Sequence, residues 1–77
     1  MILEDLGYYI AANGKKLIRF EKDTDGRQDE IIITIDKENK TVRKTHWTSH
    51  TRRALDFTID EMKGVLEYIE TVLTKPF

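Results

Sequence analysis

Cysteine is absent from this 77-residue chain, so neither a disulfide nor a thiolate-bound zinc can brace it. Proline occurs once, and the four glycines are scattered, without the pattern that cradles a phosphate. Ser49 is the single serine. It neighbours His50, but adjacent side chains on an extended chain point apart, which argues against a nucleophile–base pair. The longest wholly aliphatic run, Ile31-Ile32-Ile33, is far too short to cross a bilayer. The opening MILEDLG puts Glu4 and Asp5 where a signal peptide would carry bases. These absences lead to the expectation of a non-enzymatic, cytoplasmic protein with no cofactor and no bound metal. The whole chain, 1–77, reads as one small domain, and a core of this size supplies only about 3–5 kcal/mol. With disulfides and thiolate sites excluded, self-association is the remaining common source of stability, so a homodimer is expected.

Acid is missing from one stretch in particular. Residues 40–55 hold Lys40, Arg43, Lys44, Arg52 and Arg53, both histidines and the single tryptophan, yet no Asp or Glu. The other eight bases and all fourteen acids lie elsewhere, and the net charge is −1. Segregation of this kind bears on partners rather than on fold.

What is present organises the rest. Ile59, Met62, Val65, Leu66, Ile69, Val72 and Leu73 recur at three and four residues, which predicts an amphipathic helix over roughly 59–74. Thr58-Ile59-Asp60-Glu61 has the form of a capping box, and Pro76 stops the helix. Tyr68, Val72 and Phe77 widen its apolar arc beyond what one small sheet face covers. On this pattern Ile59, Met62, Leu66, Ile69 and Leu73 are expected to pack on Ile31 and Ile33, and Leu66→Ala to cost about 2–5 kcal/mol. Residues 29–36 are β-branched and apolar, as in a central strand. Lys37-Glu38-Asn39-Lys40 forms a turn in which Asn tolerates the left-handed conformation, and 41–48 return as the partner strand. A loop at 49–51 and a short strand at 53–57 lead into the cap. Upstream, 16–21 read as a strand closed by a turn at Asp23-Thr24-Asp25-Gly26. The first residues leave two readings open: a hairpin through Asn13-Gly14, or a helical face of Ile2, Leu3, Leu6, Tyr9 and Ile10. The fold class is α+β, an antiparallel meander of four to five strands followed by one C-terminal helix on one sheet face.

Strand alternation puts Arg43, Thr45 and Trp47 on one face and Val42, Lys44 and His46 on the other. A polar strand in this position reads either as a charged edge that discourages aggregation or as a binding strand, with cations for phosphates and a ring on which a base can stack. The candidate binding residues are Lys40, Arg43, Lys44, His46, Trp47, Arg52 and Arg53. His46 and His50 are four apart, some 13 Å along a strand, which does not suit a shared metal.

The segment Val42-Arg43-Lys44-Thr45-His46-Trp47, the polar loop Thr48 to Arg52, the short strand Ala54 to Phe57, and Thr58-Ile59-Asp60-Glu61-Met62 together resemble the positive-cofactor-four-like family of single-stranded-DNA-binding coactivators. The likeness covers roughly residues 30–73. It implies a curved antiparallel sheet with one helix, a dimer, and sheet-borne contacts at Arg43, Lys44, Trp47, Arg52 and Arg53. The expected ligand is single-stranded nucleic acid. The alternative is a small phage-type or mobile-element protein that binds and regulates a host protein through the same surface, with Trp47 and the arginines as anchors.

Overall fold

The computed structural model describes residues 1–24 and 29–73. Five strands form one antiparallel sheet in sequential order: β1 (Tyr9–Asn13), β2 (Leu17–Asp23), β3 (Glu30–Asp36), β4 (Thr41–Trp47) and β5 (Arg52–Ala54). A four-residue helix, α1 (Ile2–Asp5), precedes the sheet, and α2 (Ile59–Tyr68) follows it and runs on as a π-helical stretch, Ile69–Leu73. The α+β meander with a C-terminal helix is the architecture expected from the pattern. No helix of the described residues is long and apolar enough to cross a membrane. Of the expected features, the turn through Asp25-Gly26, the stop at Pro76 and the Phe77 ring lie outside the described residues.

The two readings of the N-terminus each hold for one half of it. Leu3, fully buried, anchors α1, and Gly7 ends that helix at φ +98°. The Gly7 N–H donates to the Glu4 carbonyl and the Tyr8 N–H to the Leu3 carbonyl, both at 2.9 Å, the paired bonds of a Schellman stop. The helix ends at Gly7, which frees Tyr9 onward to pair with β2. The hairpin then closes through Gly14, whose N–H donates to the Leu17 carbonyl at 2.8 Å. In the β3–β4 turn the left-handed residue is Lys40, at φ 56°, rather than Asn39. Asp36 organises that turn by accepting from the N–H groups of Glu38 and Asn39 at 3.0 and 2.9 Å.

One face of the sheet carries Ile18 and Phe20 from β2 and Ile33 and Ile35 from β3, packed with Leu3, Tyr8, Val65 and Tyr68. Tyr68 meets Phe20 edge-on at 5.0 Å between centroids, so this ring belongs to the core and does not widen an outer arc.

The helix is rolled away from the expected orientation. Its buried side is Glu61, Gly64, Val65 and Tyr68, while Ile59, Met62 and Leu66 are 70%, 50% and 55% exposed. The large penalty expected for Leu66→Ala therefore has no buried side chain behind it. Gly64 permits the roll, because a Cβ there would stand 2.8 Å from Leu3 Cγ and Cδ2. The backbone of α2 thus sits directly on α1, and the Ile2 N–H donates to Glu67 Oε1 across the contact (2.8 Å).

Gly64→Ala should lower the thermal midpoint. Overpacking costs about 1–3 kcal/mol, and the clash is with fully buried Leu3, so the cost is expected to exceed the ~1 kcal/mol that Ala gains over Gly in a helix. A melt of the variant at or above wild type would show that α1 is not held against α2.

Candidate nucleic-acid interface

Register divides the basic stretch between the two sheet faces. Trp47 pairs with Arg52, His46 with Arg53 and Thr45 with Ala54, and paired residues share a face. The open face therefore receives Arg43, Trp47 and Arg52, and the helix side receives Lys44, His46 and Arg53. Lys40 stands in the turn at the far end of β4, roughly 20 Å of strand from Trp47. There it lines a separate recess of about 510 Å³ with Ile35, Val42 and Ile69. The seven candidate residues do not form one patch.

Lys44 is the plainest correction. It was expected to face a ligand, but only 8% of its side chain is exposed. Alternation points it beneath the first turn of α2, where Nζ meets Glu61 Oε1 at 2.6 Å and donates to the Asp56 carbonyl at 3.1 Å. Glu61 Oε1 also accepts from the Thr58 N–H (2.9 Å), and Oε2 accepts from the Tyr8 hydroxyl (2.5 Å). With the Glu61 N–H donating to Thr58 Oγ1 at 3.1 Å, the capping box is complete. Burial pushes the Glu61 carboxyl upward, but Lys44, the Thr58 amide and Tyr8 together hold it below the usual carboxylate range. The Tyr8 phenol is raised by its own burial, then by its bond to Glu61 and that carboxylate's charge.

At the other end of β4 the side chains converge. The Arg52 guanidinium lies over the indole of Trp47, 4.0 Å from the ring centroid, and Trp47 is 37% exposed. These two residues and the loop between them line a cleft of about 270 Å³: Trp47, Thr48, Ser49, His50, Thr51 and Arg52. No acid lines it. Thr48 holds the loop, its hydroxyl accepting from the N–H groups of His50 (3.2 Å) and Thr51 (2.9 Å) while its own N–H donates to the Thr51 carbonyl at 2.9 Å. The cleft thus gathers an indole with a guanidinium stacked over it, hydroxyls and an imidazole within one short loop. Sequence reading placed Thr48, Ser49 and Thr51 in a polar loop and did not count them among the candidate binding residues. Their signal was the run of hydroxyl residues between Trp47 and Arg52, which marks a turn tied by its own side chains.

Acids missing from the sequence around Trp47 return across the sheet. Glu30 pairs with Trp47, and Asp23 with Glu30, on the same open face. Glu21 is buried there and holds Arg19 at 2.8 Å. On the helix side His46 Nε2 lies 3.8 Å from Asp29 Oδ2. Among the described residues no three His, Asp or Glu side chains gather as a metal set. No family model matches the chain, and no curated protein or solved structure matches it either.

Two neighbouring cations should therefore fail differently. Lys44→Ala strands a buried carboxylate, a loss of about 3–5 kcal/mol, and should unfold much of the protein; Arg43→Ala should leave the melt unchanged. Because the folded pKa of Glu61 is depressed, its stabilisation is present above the unfolded value, about 4.3, and is lost as pH falls through the folded one. Acid titration of wild type against Glu61→Gln should show that part of the acid limb missing in the variant. Identical acid limbs would mean that the carboxylate is not buried with Lys44.

Proposed function

We propose that this protein is a non-enzymatic cytoplasmic module that binds single-stranded nucleic acid at the β4–β5 edge. The observation that carries the reading is the acid-free cleft in which Trp47 presents a ring and Arg52 a guanidinium at stacking distance. Every base has a π-face, and base–aromatic stacking contributes about 1–3 kcal/mol without regard to sequence. A single strand can splay one base onto the Trp47–Arg52 pair, stacking on the guanidinium plane or displacing it from the indole, which a paired base in a duplex cannot do. Arg43 and Arg52, exposed on the same face as Trp47, and Arg53, exposed on the other side of the edge strand β5, then supply cations for flanking phosphates. The likeness to the positive-cofactor-four-like coactivators favours the same ligand and the same residues, except for buried Lys44.

A second reading has its own observation. Glu30 and Asp23 lie in the same cross-strand row as Trp47. A surface that alternates acid, aromatic ring and guanidinium suits a protein partner of mixed charge, such as a host protein bound by a small phage-type regulator.

Titration with single-stranded DNA, single-stranded RNA and duplex at two salt concentrations separates the two. With three arginines engaged, the logarithmic salt slope for a single strand should be about −2. Arg43→Ala, Arg52→Ala or Arg53→Ala should each flatten it by about 0.7. Trp47→Ala should lose about 1–3 kcal/mol with the slope intact and should hurt single strands more than duplex. A melt of each variant must accompany the titration. If folded wild type binds no single strand even at about 50 mM salt, where phosphate contacts are strong, the nucleic-acid reading fails.

A further inference from the structure

A recess of about 510 Å³ lies where the β3–β4 turn meets the end of α2, at the opposite end of β4 from the Trp47 cleft. Its depth is aliphatic: Ile35 is almost fully buried, and Val42 and Ile69 stand half-buried beside it. Its mouth is polar, set by Asp36, Lys37, Lys40 and Thr41. A hollow of this size, with mostly apolar walls and a few convergent polar groups, has the character of a small-molecule site. Val42 also walls the groove of about 210 Å³ that it forms with Phe57, Met62, Val65 and Leu66. Apolar surface therefore continues from the recess along the seam between β4 and α2.

Two uncommon backbone features meet at this recess. Lys40 holds the left-handed conformation at φ 56°, in which a lysine is strained. Ile69 opens the π-helical stretch that ends α2, a rare geometry often found beside functional sites. The charges at the mouth do not cancel. Asp36 turns its carboxylate into the turn, where Oδ1 accepts from the Glu38 and Asn39 amides and Oδ2 from the Asn39 side chain (2.9 Å). The Asn39 bonds above all hold its carboxyl below the usual range. Lys37 Nζ donates to the Gly14 carbonyl at 2.9 Å, while Lys40 has no hydrogen bond or ion pair among the described residues. Two ammonium groups against one carboxylate leave a single positive charge over an aliphatic floor.

We propose that this recess binds a single-chain amphiphile with one anionic head, an aliphatic carboxylate of medium length. Its head lies at Lys40 and Lys37, and its chain covers Ile35, Val42 and Ile69 and runs on past Val42 toward Phe57. The chain supplies most of the affinity, because an exposed ammonium–carboxylate pair contributes little. The head supplies the selectivity, since a cationic one would meet two ammonium groups. The site shares no residue with the Trp47 cleft and does not depend on nucleic-acid binding.

Calorimetric titration of the full chain with hexanoate, octanoate and decanoate, each below its micelle concentration, tests this. Binding should saturate, and each added methylene should tighten it about three- to four-fold. Decan-1-ol should bind more weakly than decanoate, and decyltrimethylammonium more weakly still. Lys40→Gly keeps the left-handed turn without steric cost. It should weaken decanoate about two- to five-fold and leave decan-1-ol unchanged. Ile59→Ser, on the exposed side of α2, should change neither. Amide chemical shifts on adding decanoate should move at residues 35–42 and 65–69. No saturable binding, no gain with chain length, equal binding of the three ten-carbon heads, or shifts centred on Ile59 and Met62 would each overturn the proposal. So would a Lys40→Gly variant that binds decanoate as wild type does.

Discussion

The carboxylate of Glu61 is where three separate parts of the chain are tied together. It receives Lys44 from the middle of β4, the hydroxyl of Tyr8 from the end of the α1 turn, and the Thr58 amide at its own helix start. An ion pair this deeply buried is a poor source of net stability, because desolvation of both charges offsets most of their attraction. Its effect is directional. A helix held only by apolar contact can roll on a sheet at little cost, whereas a carboxylate that must meet an ammonium and a phenol has one acceptable azimuth. Glu61 therefore sets which side of α2 faces the sheet, and Gly64, one turn on, lets that side approach α1 closely.

The roll has consequences in both directions. Inward, it brings Val65 and Tyr68 into the core, where Tyr68 meets Phe20. Outward, it exposes Ile59, Met62 and Leu66, the residues that simple amphipathic reading assigns to the core. The stripe is thus not a sign of poor packing. It is the complement of a polar inner contact, because turning Glu61 toward Lys44 and Tyr8 leaves the apolar row on the far side of the helix.

Much of the fold was legible because its signals are local. The Thr58 capping box, the β-branched run of β3, the polar turn at 37–40 and the alternation along β4 each depend on residues a few positions apart. The order of the meander follows from their succession. The helix azimuth was not legible, because pattern reading assumes that the apolar side faces in, and the inward position of Glu61 depends on Lys44 and Tyr8, 17 and 53 residues away. Lys44 was misread for the same reason: a lysine between Arg43 and Thr45 looks like surface until its buried partner is known. The Trp47–Arg52 pair was within reach, since strand, loop and strand lengths fix that register. At the N-terminus the two patterns compete for Tyr9 and Ile10, and the stop at Gly7 decides where one yields to the other.

The acid-free stretch shows how a sequence feature changes meaning on folding. Along the chain it is a block of like charge. In the sheet, β3 and β2 lay Glu30 and Asp23 beside one end of it, Glu61 neutralises its middle, and Lys40 is carried to the other end. What survives as basic surface is local, the cleft and the arginines about it. With a net charge of −1, long-range attraction of a polyanion is weak. On the proposed function, recognition at this edge rests on short-range contact with an indole and the guanidinium that lies over it. A site of that kind would discriminate by whether a ligand offers a flat, unpaired surface and a nearby negative group, more than by how much charge the ligand carries.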